Sequence, residues 1–258
     1  MSERSIGSIP RVVFAGFASC FGCQINITNI EKHLLDVLGQ IDMRYWQLTS
    51  SDPMPAQFDV AVIEGAITTK DAEISAKRLR EIADMVITIG ACAQSAGIPG
   101  MASDDIDTRM KDVYSDHVPA LISDSAYSPR AVGDVIEVDF AVPCCPVDPY
   151  EFVRVLQHVL YGSNIYPHTA TLCGNCKQNE RGCFYGRGVM CMGLVTRTGC
   201  GARCTALGRE CNGCAGLSPD ANIDMARRIA VASGIDEADF NKALEMFNYN
   251  NEAIMEPR

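Results

Sequence analysis

The stretch PCCPVD, residues 143–148, sets two cysteines side by side. Neighbouring side chains in an extended segment point to opposite faces. Cys144 and Cys145 therefore cannot both reach one metal centre from a straight backbone, and a disulfide between neighbours is strained. Each needs its own account, which begins with the other cysteines. The chain has thirteen, an odd number that no complete disulfide framework uses up. It has only four histidines (His33, His117, His158 and His168), none inside a cysteine run. Thiolates with so few imidazoles point to zinc or to iron–sulfur clusters. A four-iron cluster takes four thiolates, so twelve cysteines would serve three clusters and leave one spare. The adjacent pair is the natural place for the spare, because its members compete for a single ligand position.

The cysteines fall into two regions. Cys20, Cys23, Cys92, Cys144 and Cys145 precede residue 170, and eight more, from Cys173 to Cys214, are packed into a short block. Around the first five, apolar runs alternate with amphipathic segments. RVVFAGF (11–17), IDMRYWQL (41–48), FDVAVIEG (58–65), DMVITIG (84–90) and DVIEVDFAV (134–142) read as strands. NITNIEKHLLDVLG (26–39) reads as a helix with Gly39 as C-cap, and TTKDAEISAKRLREIAD (68–84) as one with a Thr or Asp start. DPYEFVRVLQHVLYG (148–162) reads as a helix capped by Asp148 with Pro149 in its first turn. Strands followed by helices predict an α/β fold, a flavodoxin-like doubly wound parallel sheet over residues 1–165. The cysteine-rich remainder, 166–258, is expected to form a small irregular and helical iron–sulfur domain. It closes with amphipathic helices in 218–234 and 236–248 that cover the metal sites.

In doubly wound sheets the working edge lies beyond the C-terminal ends of the strands. Cys20 and Cys23 follow the first strand, Cys92 follows DMVITIG, and Cys144 and Cys145 follow DVIEVDFAV. Cysteines serving only as core residues would be scattered; these share one edge, and so does Glu64 at the end of DVAVIE. Glu64 has two candidate roles, a carboxylate in proton movement or an acceptor that orders loop amides. Gly22, Gly90 and Gly97 fit close approach of backbone to an inorganic cluster, or ordinary turns. Residues 101–133 read as a long polar connection, either a contact for a partner subunit or a solvated insertion.

Composition excludes several classes. A net charge of −10 and a pI of about 4.9 oppose a nucleic-acid surface. No apolar run approaches a membrane span of roughly 20 residues. The first residues carry neither an apolar signal stretch nor a twin arginine, so the cytoplasm is the expected location. No helix start has a nucleotide-binding glycine pattern.

SCFGCQ (19–24), VIEGAI (62–67), GACAQSAGIPG (90–100), VPCCPVDP (142–149) and the eight-cysteine block together resemble the small subunit of nickel–iron hydrogenases. The resemblance covers nearly the whole chain. It implies a proximal 4Fe-4S cluster on Cys20, Cys23, Cys92 and the cysteine of a Pro-Gly-Cys-Pro-Pro motif. Here that motif reads Pro143-Cys144-Cys145-Pro146-Val147, so Cys145 falls on the ligand, Cys144 on the glycine and Val147 on a proline. By the same likeness Cys173, Cys176, Cys183 and Cys191 hold a distal 4Fe-4S cluster, and Cys200, Cys204, Cys211 and Cys214 a medial one. Membrane-linked uptake members have a histidine at the place of Cys173 and a proline near Cys204 that leaves a three-iron cluster. This chain departs from them at both points and is similar to the cytosolic, sulfhydrogenase or NAD(P)-linked type.

The nickel–iron centre of that family needs four thiolates of its own, which this chain does not have to spare. The resemblance therefore implies a large-subunit partner that carries out H2 oxidation, and a flavin or iron–sulfur subunit that accepts the electrons. The acceptor stays open among NAD(P), F420, ferredoxin and a heterodisulfide reductase. Two alternatives remain. One is a complex-I-like quinone-reductase cluster subunit, which leaves the eight-cysteine block unexplained. The other is a zinc-stapled interaction module, for which Cys173-x-x-Cys176 and Cys211-x-x-Cys214 have suitable spacing.

Overall fold

The computed structural model describes residues 9–102, 106–115, 117, 126–166, 168–249 and 251–255. The chain divides into two compact units, Met1–Asn164 and Ile165–Arg258.

The strands of the first unit are β1 (Arg11–Gly16), β2 (Asp42–Trp46), β3 (Val60–Glu64), β4 (Ile67–Thr69), β5 (Met85–Ile89), β6 (Ala126–Arg130) and β7 (Phe140–Val142). Its helices are α1 (Gly22–Thr28), α2 (Leu34–Leu38), α3 (Lys70–Ile82), α4 (Gly90–Ser95), α5 (Gly97–Gly100), α6 (Ile106–Tyr114) and α7 (Pro149–Tyr161). Five strands form a sheet in the order β2-β1-β3-β5-β7, all parallel. This is the expected doubly wound α/β arrangement. β3 is buried at every position and β1 and β5 nearly so. Such strands read as continuous apolar runs because helices cover both faces of a parallel sheet.

Two features of this sheet position a site. The chain crosses back over β1 between β2 and β3, so the topological switch point lies between β1 and β3, where open α/β sheets hold their ligands. The register also pairs Gly16 with Glu64, Glu64 with Ile89 and Ile89 with Val142. One row thus crosses the C-terminal edge, and every first-unit cysteine follows a residue of that row.

The helix starts of α3 and α7 are as expected. Thr69 Oγ1 accepts from Ala72 N–H at 3.1 Å. Asp148 Oδ1 accepts from Tyr150 and Glu151 N–H at 3.0 and 3.1 Å, a cap that contributes about 1 kcal/mol. Three segments differ from expectation. Residues 26–39 are not one helix: α1 begins earlier, includes Cys23 and ends at Thr28 with Asn29 as its C-cap, and Glu31 at φ 39° introduces a short 3-10 turn before α2. Gly39 is the C-cap of α2 with φ −67°, an ordinary right-handed conformation. Residues 134–142 contribute only β7. Asp134 is engaged by Ala131 N–H and Asp139 by Val86 N–H, so side chains hold this segment until ladder pairing begins at Phe140. The connection 101–133 is partly regular, with α6 and with β6 antiparallel to β4; residues 103–105, 116 and 118–125 lie outside the described residues.

The second unit has two longer helices, Ile223–Ala232 and Glu237–Glu245, started by Asn222 and Asp236 side chains. The cysteine block before them contains turns and helical pieces of four residues or fewer. Ile223, Ala226, Phe240 and Leu244 pack with Leu172, Met192, Val195, Cys191 and Cys211 in one core. The closing helices therefore cover the cysteine block.

Candidate metal centres

At the switch point Glu64 ends β3 with 2 % of its surface exposed. Its carboxylate oxygens accept from the N–H groups of Cys23 (3.2 Å) and Gln24 (3.1 Å). These are orphan donors of the first turn of α1, and a carboxylate placed there also meets the positive end of the helix dipole. Of the two roles weighed for Glu64, this geometry shows the ordering of amides. Gln24 is fully buried and its Oε1 accepts from Trp46 Nε1–H at 2.8 Å.

The sheet edge brings Cys20, Cys23, Cys92 and Cys145 together. Burial pushes the Cys23 thiol far above its ordinary range; the Val147 amide opposes this, and Glu64, Cys145 and Cys92 add to it. Cys92 is pushed up to about 11, first by burial and then by the fields of Cys145, Cys20 and Glu64. The loop after β7 is tied to α1 from both sides of one residue. Val147 N–H donates to Cys23 Sγ at 3.4 Å, and Val147 C=O accepts from Asn26 Nδ2–H at 2.7 Å. A proline at 147 would lack that N–H.

The backbone is shaped around these sulfurs. Gly90 opens α4 with φ +81°, and a Cβ there would stand 2.4 Å from Cys23 Sγ. A Cβ on Gly22 would come to 3.1 Å from Cys20 Sγ. Gly97 lies against the Cys92 backbone, which a Cβ would meet at 2.9 Å. Cys144 is buried and has φ +91°, a conformation that favours glycine. The structure thus holds Cys144 in a glycine's conformation, while Cys145 is exposed beside the other three thiols.

In the second unit Cys173 is pushed up to about 11 by burial and then by Cys191, Cys176 and Cys183, which gathers that set. Burial also raises Cys204; Cys214 and Cys200 raise it further, and Arg203 and Arg209 oppose them. Cys211 is pushed up to about 12 by burial, opposed by the Gly213 amide and the Thr196 hydroxyl and raised by Cys191 and Cys214. The two sets touch. Cys211 N–H donates to Cys191 Sγ at 3.3 Å, and Met192 N–H donates to Cys211 C=O at 2.8 Å. A Cβ on Gly193 would lie 3.5 Å from Cys191 Sγ, 3.7 Å from Cys173 Sγ and 3.9 Å from Cys211 Cβ. Tyr185 donates its hydroxyl to Cys191 C=O at 2.8 Å. Sequence reasoning did not single out Gln24, Asn26, Tyr185, Gly193 or Thr196. Their roles depend on contacts that residue spacing does not show.

The thiols sense one another, yet among the described residues no three His, Cys, Asp or Glu side chains close on a point that one metal ion could occupy. Thiol donors without imidazoles among them suit an iron–sulfur group. Binding would require the raised thiols to give up their protons. Among the described residues no helix is long and apolar enough to cross a membrane.

Comparison with known proteins places the chain in a family. Residues 20–159, more than half of the chain, match the family described as NADH ubiquinone oxidoreductase, 20 Kd subunit. The chain is 30% identical over 206 residues to sulfhydrogenase 2 subunit delta of Pyrococcus furiosus, covering 79% of this chain and 85% of that protein. It is 32% identical over 254 residues to a subunit of the F420-non-reducing hydrogenase of Methanothermobacter marburgensis, covering 83% of this chain and 81% of that one. The fold is similar to a chain of the actinobacterial-type NiFe-hydrogenase from Ralstonia eutropha H16, with a TM-score of 0.56 and 16% identity over 97% of this chain and 93% of that chain. The family match ends before the eight-cysteine block, whereas 83% coverage has to reach into it. The chain therefore belongs to the family of the NADH ubiquinone oxidoreductase 20 Kd subunit and, within it, is a small subunit of a nickel–iron hydrogenase, an oxidoreductase acting on H2.

Proposed function

We propose that this chain relays electrons along three four-iron clusters, between the nickel–iron site of its large subunit and an acceptor subunit that serves a soluble carrier. Its place as the electron-transfer subunit of such a complex follows from the family. The cluster number and the kind of acceptor go beyond it. What supports the proposal is which thiols lie within each other's influence: Cys23 and Cys92 with Cys145, Cys92 with Cys20, Cys173 with Cys176, Cys183 and Cys191, and Cys204 with Cys200 and Cys214, while Cys211 senses both Cys191 and Cys214.

Cys20, Cys23, Cys92 and Cys145 hold the proximal cluster in the first domain, 1–165. Cys173, Cys176, Cys183 and Cys191 hold the distal one, and Cys200, Cys204, Cys211 and Cys214 the medial one, both in 166–258. A bound cluster supplies one-electron chemistry at a potential set by burial and by hydrogen bonds to its sulfurs. The protein's part is to hold these sulfurs in place. Glu64 fixes the amides at the start of α1, and Gly90 keeps a side chain out of the space next to Cys23 Sγ. Val147, Cys211 and Gly213 aim N–H groups at sulfurs. With twelve thiols in use, H2 chemistry resides on the large subunit. A chain that uses its thirteen cysteines for metal rather than for disulfides fits the reducing cytoplasm.

Iron and acid-labile sulfide analysis of the anaerobically purified chain tests this, with about twelve iron atoms expected. Stoichiometric zinc would overturn it. About four iron atoms would reduce the relay to a single cluster.

A further inference from the structure

The chain is acidic overall, but the cysteine block is not. Between Cys173 and Cys214 stand six basic residues, Lys177, Arg181, Arg187, Arg197, Arg203 and Arg209, against Glu180 and Glu210. Part of this excess offsets the negative charge that thiolates bring to a cluster. Arg181 and Arg209 are nevertheless exposed. Neither guanidinium is paired with a carboxylate of a described residue. They converge on one turn. A Cβ on Gly208 would lie 3.5 Å from Arg181 Nη1. Arg209 is the next residue, and its N–H donates to Cys204 C=O at 2.9 Å. At the tip of that turn Leu207 is 73 % exposed. Cys204 and Cys183, which follows Arg181 by two residues, are both exposed, so both second-unit thiol sets come to the surface beside these arginines.

We propose that Leu207 with Arg181 and Arg209 forms the docking surface for an acidic, protein-borne one-electron carrier. The inference rests on the electron-relay function proposed above. An exposed apolar tip inside a cationic rim is the pattern of an interface whose charges steer encounter and whose centre excludes water. Charge complementarity selects an acidic partner. The site lies beside an exposed ligand thiol, and so favours a carrier that takes one electron per encounter, with reduction of one ferric iron.

The test uses the complex of this chain with its large subunit, kept anaerobic under H2. Three probes are compared: an acidic plant-type [2Fe–2S] ferredoxin, a basic cytochrome c and the small dye methyl viologen. Wild-type complex should reduce the ferredoxin at a rate that falls as salt rises. R181E/R209E should lower that rate about tenfold at low salt, raise the cytochrome rate, and leave viologen reduction and iron content unchanged. R181Q/R209Q should move the ferredoxin rate in the same direction by less. Equal responses of the two protein carriers would overturn the proposal. So would shifted cluster potentials with an unchanged ferredoxin rate, because the arginines would then only balance cluster charge. Salt-sensitive self-association of the complex through this face would assign it to a second copy and overturn the proposal too. Should both variants lose iron, wild-type salt dependence decides: a ferredoxin rate indifferent to salt overturns the docking surface. A wild-type complex unable to reduce viologen with H2 would instead overturn the electron relay itself.

Discussion

In the first unit Val13, Ala61, Ile63, Val86 and Leu79 pack one core with no cysteine in it. In the second, Cys191 and Cys211 are core residues, and Cys176 and Cys200 pack against them. One face of the first unit's sheet packs by apolar burial alone, and the buried thiols Cys23 and Cys144 stand at the sheet's C-terminal edge. The second uses its proposed ligands as part of its packing. A buried thiol contributes as a small apolar group, but when bound to metal it also closes loops of chain. Metal binding is then folding free energy, and much more of it falls on the second unit.

Removing iron should break the symmetry between the units most strongly. In metal-free protein the amides of 173–214 should exchange with solvent rapidly while those of β1, β3 and β5 stay protected. Hydrogen exchange read by mass spectrometry checks this, and equal protection in both units would refute the contrast. Next in size is the choice between neighbouring cysteines. Cys145→Ala should remove the first-unit cluster or leave it a three-iron form, and should abolish H2-driven dye reduction by the complex. Cys144→Ala should keep all clusters at a cost of about 1 kcal/mol. Paramagnetic resonance on both variants decides; loss of the signal in both would mean that the pair acts together.

Glycines sharpen the comparison further. Gly90→Ala puts a Cβ against Cys23 Sγ at a left-handed position, and should cost about 3 kcal/mol as well as the first-unit cluster. Gly174, between Cys173 and Cys176, has nothing within 4 Å of a built Cβ. Gly174→Ala should stay within about 0.5 kcal/mol of the parent. Thermal unfolding with iron analysis compares them, and similar losses would show that sulfur packing at Gly90 is not special. The smallest expected effect is on potential. Val147→Pro deletes the N–H aimed at Cys23 Sγ and should lower the midpoint of the first-unit cluster alone. A redox titration that finds all midpoints unmoved would remove that bond from the account.

Much of the first unit was legible because its strands are unbroken apolar runs and α7 has a local cap, Asp148 before Pro149. The start of α1 was not legible. Its cap position is Phe21, in a left-handed conformation without a side-chain bond, and the acceptor for its amides is Glu64, about forty residues later in the chain. The β4–β6 pairing was hidden for the same reason. Cysteine types and counts pointed to clusters. Which loop carries which N–H donor is set by long-range contacts, and position 144 shows its meaning only through its φ.

The crossed bonds at 191 and 211 have a consequence for maturation. Cys211 N–H reaches Cys191 Sγ while Met192 N–H reaches Cys211 C=O, so the loops that carry these two proposed ligands are laced together. Inserting iron at one set fixes a strand of the other's scaffold and lowers the entropy that the second insertion must overcome. On the proposed assignment the two second-unit sets are expected to load cooperatively, and a stable chain carrying iron at one set alone would speak against it.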